Sequence, residues 1–286
     1  MKNRRIFSVC FVLWFFYTSC NLVDVTPVGY RFELLKDTPV WELAKAVKEE
    51  NTDRIRELIQ EKHLDVNYQE RKSPVATTLL HLAVGNDKLL SVEALLNNGA
   101  RQNIRDTVGC YPINYIVQMI FPHKHRLEIL KLLLDHGADP NAVAAAYWHG
   151  NTIPYQISLP LFNAVQDLEC TKLLLKYGAN MNVRAGDEKT YTYGAWCSLF
   201  SQWDDLEWDN NVFVAKYLIV DKQMPFPDTL FVDKDPTGKY FHITSLELIN
   251  KSKFTKPDRQ KAKEEILAYL KKEGYPAKGA LKNKSK

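Results

Sequence analysis

The chain is short of the features that announce chemistry. It holds no G-x-S-x-G, no phosphate-binding glycine loop, no H-E-x-x-H and no cysteine/histidine nucleophile arrangement, which removes the motif-bearing hydrolases, nucleotide binders and zinc proteases. Cysteine is sparse, five in 286 residues with no C-x-x-C pair, so a disulfide-stapled scaffold is excluded. No apolar run approaches the ~20 residues that a membrane-crossing helix needs. The run IFSVCFVLWFF, Ile6 to Phe16, falls well short of that length. With 45% hydrophobic and 25% charged residues, the composition also excludes disorder and collagen.

What is present begins with residues 1–19, where Lys2, Arg4 and Arg5 precede the short apolar run and small residues follow it. That order is the pattern of a secretory signal peptide. Its end, YTSC, resembles the lipobox of bacterial lipoproteins, with Tyr17 standing where that family prefers leucine. The resemblance implies that Cys20 becomes an acylated N-terminus and that Asn21 directs the protein to the outer membrane. Acyl chains contribute about 0.8 kcal/mol per buried CH₂, enough in pairs to hold a protein on a bilayer. Once Cys10 leaves with the signal and Cys20 is acylated, Cys110, Cys170 and Cys197 remain, and they are expected to be small core residues.

Charge is unevenly placed. Residues 20–250 carry 23 basic and 30 acidic side chains, whereas residues 251–286 carry 12 and 4. An acidic body argues against nucleic acid, and the basic end suits anionic lipid or an acidic protein surface.

The strongest signal is internal repetition. IRELIQEKHLDVN, VEALLNNGARQN, ILKLLLDHGADPN and TKLLLKYGANMN end at Asn67, Asn103, Asn141 and Asn182, in steps of 36, 38 and 41 residues. A period in that range indicates a solenoid. Upstream lie second helical signals, TLLHLA, YPINYI and LPLFNA. Thr78 can cap such a helix, and Pro112 and Pro160 sit near a first turn, where a missing N–H costs nothing. The leucine triplets Leu132–Leu134 and Leu173–Leu175 suit helices sandwiched between neighbours. Gly99, Gly137 and Gly178 stand where the chain must turn through positive φ, and Ala100, Ala138 and Ala179 leave room for the next repeat.

TLLHLA with the following G-A-x-x-N turn resembles the signature of ankyrin repeats. The resemblance implies an all-α ankyrin-repeat solenoid of about six stacked helix pairs with short hairpin or finger loops, and a structural hydrogen bond for His81. The expected organisation is a signal peptide at 1–19, a linker at 20–38, the solenoid at 39–275 and a basic tail at 276–286. Its first, fifth and sixth repeats are degenerate. Lys261, Lys263, Lys271 and Lys272 are expected to give the last helix a polar side.

Asp135, His136 and Asp139 occupy positions that the next repeat fills with Lys176, Tyr177 and Asn180, which argues against a metal site. His123 and His125 share an enlarged loop suited to a surface zinc or a pH-sensitive contact, with a polar loop as the plainer reading. Asp204, Asp205, Glu207 and Asp209 lack the glycine and spacing of a calcium loop. No metal, cofactor or catalytic residue is expected.

Three links between turn and next helix are long, from Asn67 to Thr77, Asn141 to Ser158 and Asn182 to Tyr193. The last two are aromatic, and aromatic side chains are common interface anchors. Tyr147, Trp148, His149, Tyr155, Tyr191, Tyr193 and Trp196 are therefore the candidate partner-binding residues. The functional expectation is a monomeric, non-catalytic protein-interaction module tethered at the bacterial envelope. An envelope immunity or inhibitor protein, and a carbohydrate-binding or enzymatic envelope protein, are the alternatives.

Overall fold

A computed structural model of the chain describes residues 31–70, 76–107, 109–117, 123–146, 156–186, 189, 191–201, 211–225 and 227–275. Twelve helices run through these residues in consecutive pairs. They are α1 (Trp41–Lys48) with α2 (Thr52–Gln60), α3 (Leu79–Gly85) with α4 (Leu89–Asn97), and α5 (Pro112–Val117) with α6 (Arg126–Asp135). Then follow α7 (Pro160–Ala164) with α8 (Leu168–Lys176), α9 (Gly194–Ser201) with α10 (Asn211–Lys216), and α11 (Ser245–Lys251) with α12 (Pro257–Lys272). A π-helical turn, Tyr217–Asp221, extends α10.

The odd-numbered helices pack in one column from α1 to α11, and the even-numbered ones in a second column from α2 to α12. One continuous core lies between the columns, as expected of an all-α repeat fold. Leu95, Leu133 and Leu174 occupy the same place in three successive helices and are fully buried. A core leucine of this kind is worth about 2–5 kcal/mol against alanine. The core reaches back to Phe32 and Leu35, in a 3₁₀ turn that packs on α1, within the stretch read as linker.

Local chemistry accounts for the helix ends. Pro112 and Pro160 are the first residues of α5 and α7, and Thr78 forms a capping box with His81. Gly137 and Gly178 have φ of 84° and 88°, and the N–H after each closes the helix onto Leu133 and Leu174. The first repeat lacks that glycine and uses His63 at φ 56°.

Two hydrogen-bond ladders cross from repeat to repeat. In the first, Asn67 Nδ2 donates to the Gly99 carbonyl at 3.1 Å while its Oδ1 accepts from Arg101 N–H at 2.8 Å. Asn103 repeats this with the Gly137 carbonyl and Asp139 N–H, and Asn141 with the Gly178 carbonyl and Asn180 N–H. The second ladder joins the turns inside the first three pairs. Glu50 accepts from Leu90 N–H at 3.0 Å, and Asp87 accepts from Lys124 and His125 N–H at 2.8 and 3.1 Å. Glu50 and Asp87 thus cap α4 and α6 from the preceding repeat, where carboxylates also favour the helix dipole.

The last pair corrects one expectation. Lys261, Lys271 and Lys272 are exposed, but Lys263 is buried and its Nζ donates to the Ser252 carbonyl at 2.6 Å, capping the end of α11. An ammonium can satisfy carbonyls left open at a helix C-terminus, and this one is placed to do so. Short strands build the links between the later pairs. β1 (Ala144–Ala146) pairs with β2 (Gln156–Ser158), and β3 (Arg184–Gly186), β4 (Tyr191–Tyr193), β5 (Thr229–Lys234) and β6 (Tyr240–Thr244) form one antiparallel sheet in that order.

Removing one rung of each ladder tests whether the rungs act separately. Asp87→Ala and Asn141→Ala sever different interfaces, and each is expected to cost about 1–2 kcal/mol in urea unfolding. The double variant is expected to lose the sum within about 0.5 kcal/mol.

Candidate functional site

The candidate surface is the row of fingers that link each pair of helices to the next. Their bases are cross-braced. Gln69 Nε2 donates to the Ala76 and Arg105 carbonyls, both at 2.8 Å, and Ala76 N–H donates to Thr107 Oγ1 at 3.0 Å. Arg105 lies 5.0 Å over the Tyr111 ring, donates to the Tyr111 hydroxyl and reaches the Val143 carbonyl at 2.8 Å. Side chains of one finger therefore hold the backbone of the next across the first three. Asp106 closes the second finger, accepting from Cys110 N–H at 2.8 Å and from the Tyr115 hydroxyl at 2.7 Å. Burial, and then the Asp106 carboxylate, push the Cys110 thiol up to about 12.

His81 fixes that finger from below. It is fully buried, and its Nδ1 accepts from Thr78 N–H at 3.2 Å, which leaves the proton on Nε2 to donate to the Cys110 carbonyl at 3.2 Å. The Tyr115 ring meets the imidazole edge-on at 5.3 Å. Burial depresses its pKa to about 4, opposed by the bond to Cys110. The imidazole is a neutral two-point strut, in the structural role that the ankyrin resemblance implies for it.

The third finger is the β1–β2 hairpin, with Ala144 opposite Ser158 and Ala146 opposite Gln156, and residues 147–155 join its strands. Tyr147, Trp148, His149 and Tyr155 lie in that connection, outside the described residues. The fourth finger is β3–β4, in which Tyr191 pairs with Gly186 and Tyr193 with Arg184. Tyr191 also pairs with Val232 of β5, so the fourth and fifth fingers share a sheet. Cys20 lies outside the described residues.

Trp196 is a correction. It is fully buried in α9, stacks with Phe200 at 6.2 Å, and donates its indole N–H to Asn182 Oδ1 at 3.0 Å. No G-A turn follows Asn182, so the indole takes the place of the backbone N–H that the other rungs use. Trp196 supports the stack and offers no surface to a partner.

The fifth finger is the part that sequence reading missed. The signal was there, since LFVDK and KYFHI flank Asp235-Pro236-Thr237-Gly238. Asp235 Oδ1 accepts from the N–H groups of Thr237 and Lys239, and Gly238 turns at φ 83°. The Thr237 hydroxyl, which also donates to that oxygen, and then these backbone bonds hold the Asp235 carboxyl below the usual carboxylate range.

The candidates for chemistry disperse into architecture. Asp135 accepts from Lys131 and from the Tyr177 hydroxyl of the next repeat, which lowers its pKa. His136 Nδ1 lies 2.8 Å from the Leu132 carbonyl, and Asp139 accepts from Asn141 N–H. His123 and His125 both flank Asp87, with Nδ1 at 3.9 and 3.4 Å from its oxygens. Burial, and then the Arg126 guanidinium, lower the His123 pKa against the pull of Asp87. Among the described residues no group of three or more His, Cys, Asp or Glu side chains is arranged to hold a metal ion. Asp204, Asp205, Glu207 and Asp209 lie outside them.

Comparison with known proteins agrees with this geometry. Residues 43–144 match the family model of ankyrin repeats in three copies, so this part of the chain carries ankyrin repeats. The chain is 25% identical over 176 residues to an ankyrin repeat protein of Acanthamoeba polyphaga mimivirus, covering 60% of this chain and 20% of that protein. It is 32% identical over 148 residues to an ankyrin repeat protein of Fowlpox virus, 51% of this chain and 39% of that one. It is 30% identical over 178 residues to a tyrosine-protein kinase of Hydra vulgaris, 60% of this chain and 21% of the kinase. The chain thus spans between about a fifth and two fifths of the length of these relatives. Ankyrin repeats are generally protein-interaction modules.

The His81 strut makes stability depend on pH. Its folded pKa of about 4 lies below the ordinary 6.5, so protonation favours the unfolded chain. The contribution is complete above pH 6.5 and is lost as pH falls toward 4, up to about 3 kcal/mol in all. Urea midpoints for the parent and His81→Gln, compared between those two pH values, are expected to converge as the pH falls.

Proposed function

We propose that this chain is a non-catalytic protein-binding module whose partner is taken up by the third and fourth fingers, from Ala142 to Tyr193. The ankyrin repeats support it at the level of the class, and one observation supports the location. The finger bases are braced into a row, while Tyr147, Trp148, His149 and Tyr155 are concentrated in the single connection between β1 and β2. Aromatic anchors on a fixed base lose little conformational freedom when bound, which is the usual make-up of an interface hot spot.

The reading continues to both ends of the chain. The two helix columns are taken as six repeats, the outer ones degenerate. The N-terminal segment is taken as a signal ending in an acylated Cys20, which would hold the module at the outer membrane of a bacterial envelope. That part rests on residues 1–20 alone, the relatives being viral and animal proteins. Among the described residues no helix is long and apolar enough to cross a membrane, which leaves the lipid as the proposed attachment.

Photo-crosslinking in intact cells from positions 148 and 191 is the direct test, and one protein joined at both is the expected product. Trp148→Ala and Tyr191→Ala are expected to weaken binding of that protein at least about tenfold each with thermal unfolding unchanged. Stability lost without a separable binding defect would make these rings packing residues and defeat the proposal. Cys20→Ala is expected to move the protein from the membrane to the soluble fraction, and unchanged partitioning would remove the lipid from the reading.

A further inference from the structure

Among the described residues the four-stranded sheet ends at β6, and no further strand pairs with that side. Finger four meets finger five strand to strand, through β4 and β5. A further finger would add its own strand to β6, where the array instead passes into α11. The hairpin bond from Asp235 N–H to the Lys239 carbonyl sets the alternation along the strand. Counting from it, Phe241 and Ile243 face β5 with their backbone groups, while Tyr240 and His242 turn theirs outward. Thr244 N–H is already taken by the Glu247 carboxylate at 3.2 Å.

The side chains of residues 240–243 are at least partly open, whereas Thr244 is buried and its hydroxyl donates to Glu247. Tyr240, 36% exposed, is one of three large hydrophobic side chains exposed among the described residues, and His242 is exposed beside it. Phe241 and Ile243 are half-buried, and the Phe241 ring lies 5.7 Å from Phe231. Edge strands are usually protected by proline, by inward charge or by a covering element. YFHIT has neither proline nor charge, and Lys239 stands only at its start.

We propose that β6 is a contact through which two copies of this chain pair, antiparallel about a twofold axis at His242. The strand is self-complementary in that register. Tyr240 faces the partner's Thr244, Phe241 faces the partner's Ile243, and His242 faces its own copy. The twofold axis forms the Phe241–Ile243 pair twice, an aromatic to β-branched pair of the kind that stabilises antiparallel sheets, and no lysine or carboxylate meets its like. The two fifth fingers then continue one eight-stranded sheet, the continuation of the contact by which fingers four and five already join. A five-residue strand buries less than a permanent dimer needs, so the pairing is weak, with a dissociation constant on the order of 10–100 µM. This replaces the monomer expected from sequence with a concentration-dependent dimer.

Sedimentation of the full chain in non-denaturing detergent, from about 2 to about 200 µM, is expected to show a monomer–dimer equilibrium. His242→Pro removes an outward N–H from an edge strand, a position where proline is tolerated, and is expected to weaken the dimer at least about tenfold with thermal unfolding retained. His242→Cys tests the register independently of that variant. Facing Cα atoms of a hydrogen-bonded antiparallel pair lie about 5.5 Å apart, within disulfide reach, so mild oxidation is expected to give a covalent dimer. Thr237→Cys, at the hairpin tip, is expected to crosslink no more than the parent. A parent that stays monomeric throughout, association unchanged by His242→Pro, or equal crosslinking from both cysteine variants would each overturn the proposal.

Discussion

The carboxamide of one asparagine per repeat is the interaction on which this array depends. It donates to the carbonyl of the glycine in the next turn and accepts from the N–H two residues beyond it. Both groups belong to a turn that only a residue at positive φ can make, so the glycine and the asparagine require each other. Each bond is worth about 1 kcal/mol net, yet the pair fixes the distance and rotation between neighbours. Leucine burial supplies the stability. The asparagine decides where each repeat sits.

That constraint explains why the steps between successive asparagines can grow from 36 to 41 residues without disturbing the stack. The rungs set the helices, and surplus residues are displaced into loops, between α5 and α6 in the 38-residue step and into the third finger in the 41-residue step, where added length costs little entropy. The added length needs a rigid base to be useful. Gln69, Arg105 and Thr107 provide one by side-chain bonds to neighbouring backbone, and β3, β4, β5 and β6 provide one by strand pairing. Coupling between neighbours therefore passes from side chains at the front of the array to main chain at its back. The change falls where the turn glycine is lost after Asn182 and the Trp196 indole takes up the open acceptor.

Much of this was legible in the residues, and the division follows from physics. Leucine triplets, turn glycines, first-turn prolines and Thr78 act within a few residues of themselves, and their effects can be read locally. Trp196, Lys263 and Asp87 act on partners fixed only by the fold. Trp196 reads as a loop aromatic until Asn182 is placed beside it, and Lys263 reads as a solvated charge until the end of α11 is. The hairpin from Thr229 to Thr244 was locally legible, through its turn and alternation. Helical periods on both sides of it mask that alternation.

The same distinction bears on where recognition can reside. Asp135, Asp87 and His81 are among the side chains most suggestive of chemistry, and each is bonded across a repeat boundary. A carboxylate capping a helix from the preceding repeat cannot turn toward a ligand without exposing that helix end, and a buried neutral imidazole holding two backbone groups cannot take a proton without losing one. In a stacked array, polar chemistry at the boundaries is consumed in keeping the boundaries. Only residues added beyond the repeat are released from that duty. The longest addition, between Asn141 and Ser158, is also the one richest in alanine and aromatic rings. On the proposed reading its aromatic rings are the side chains that meet the partner, while Ala142 and Ala144 stay buried against the stack.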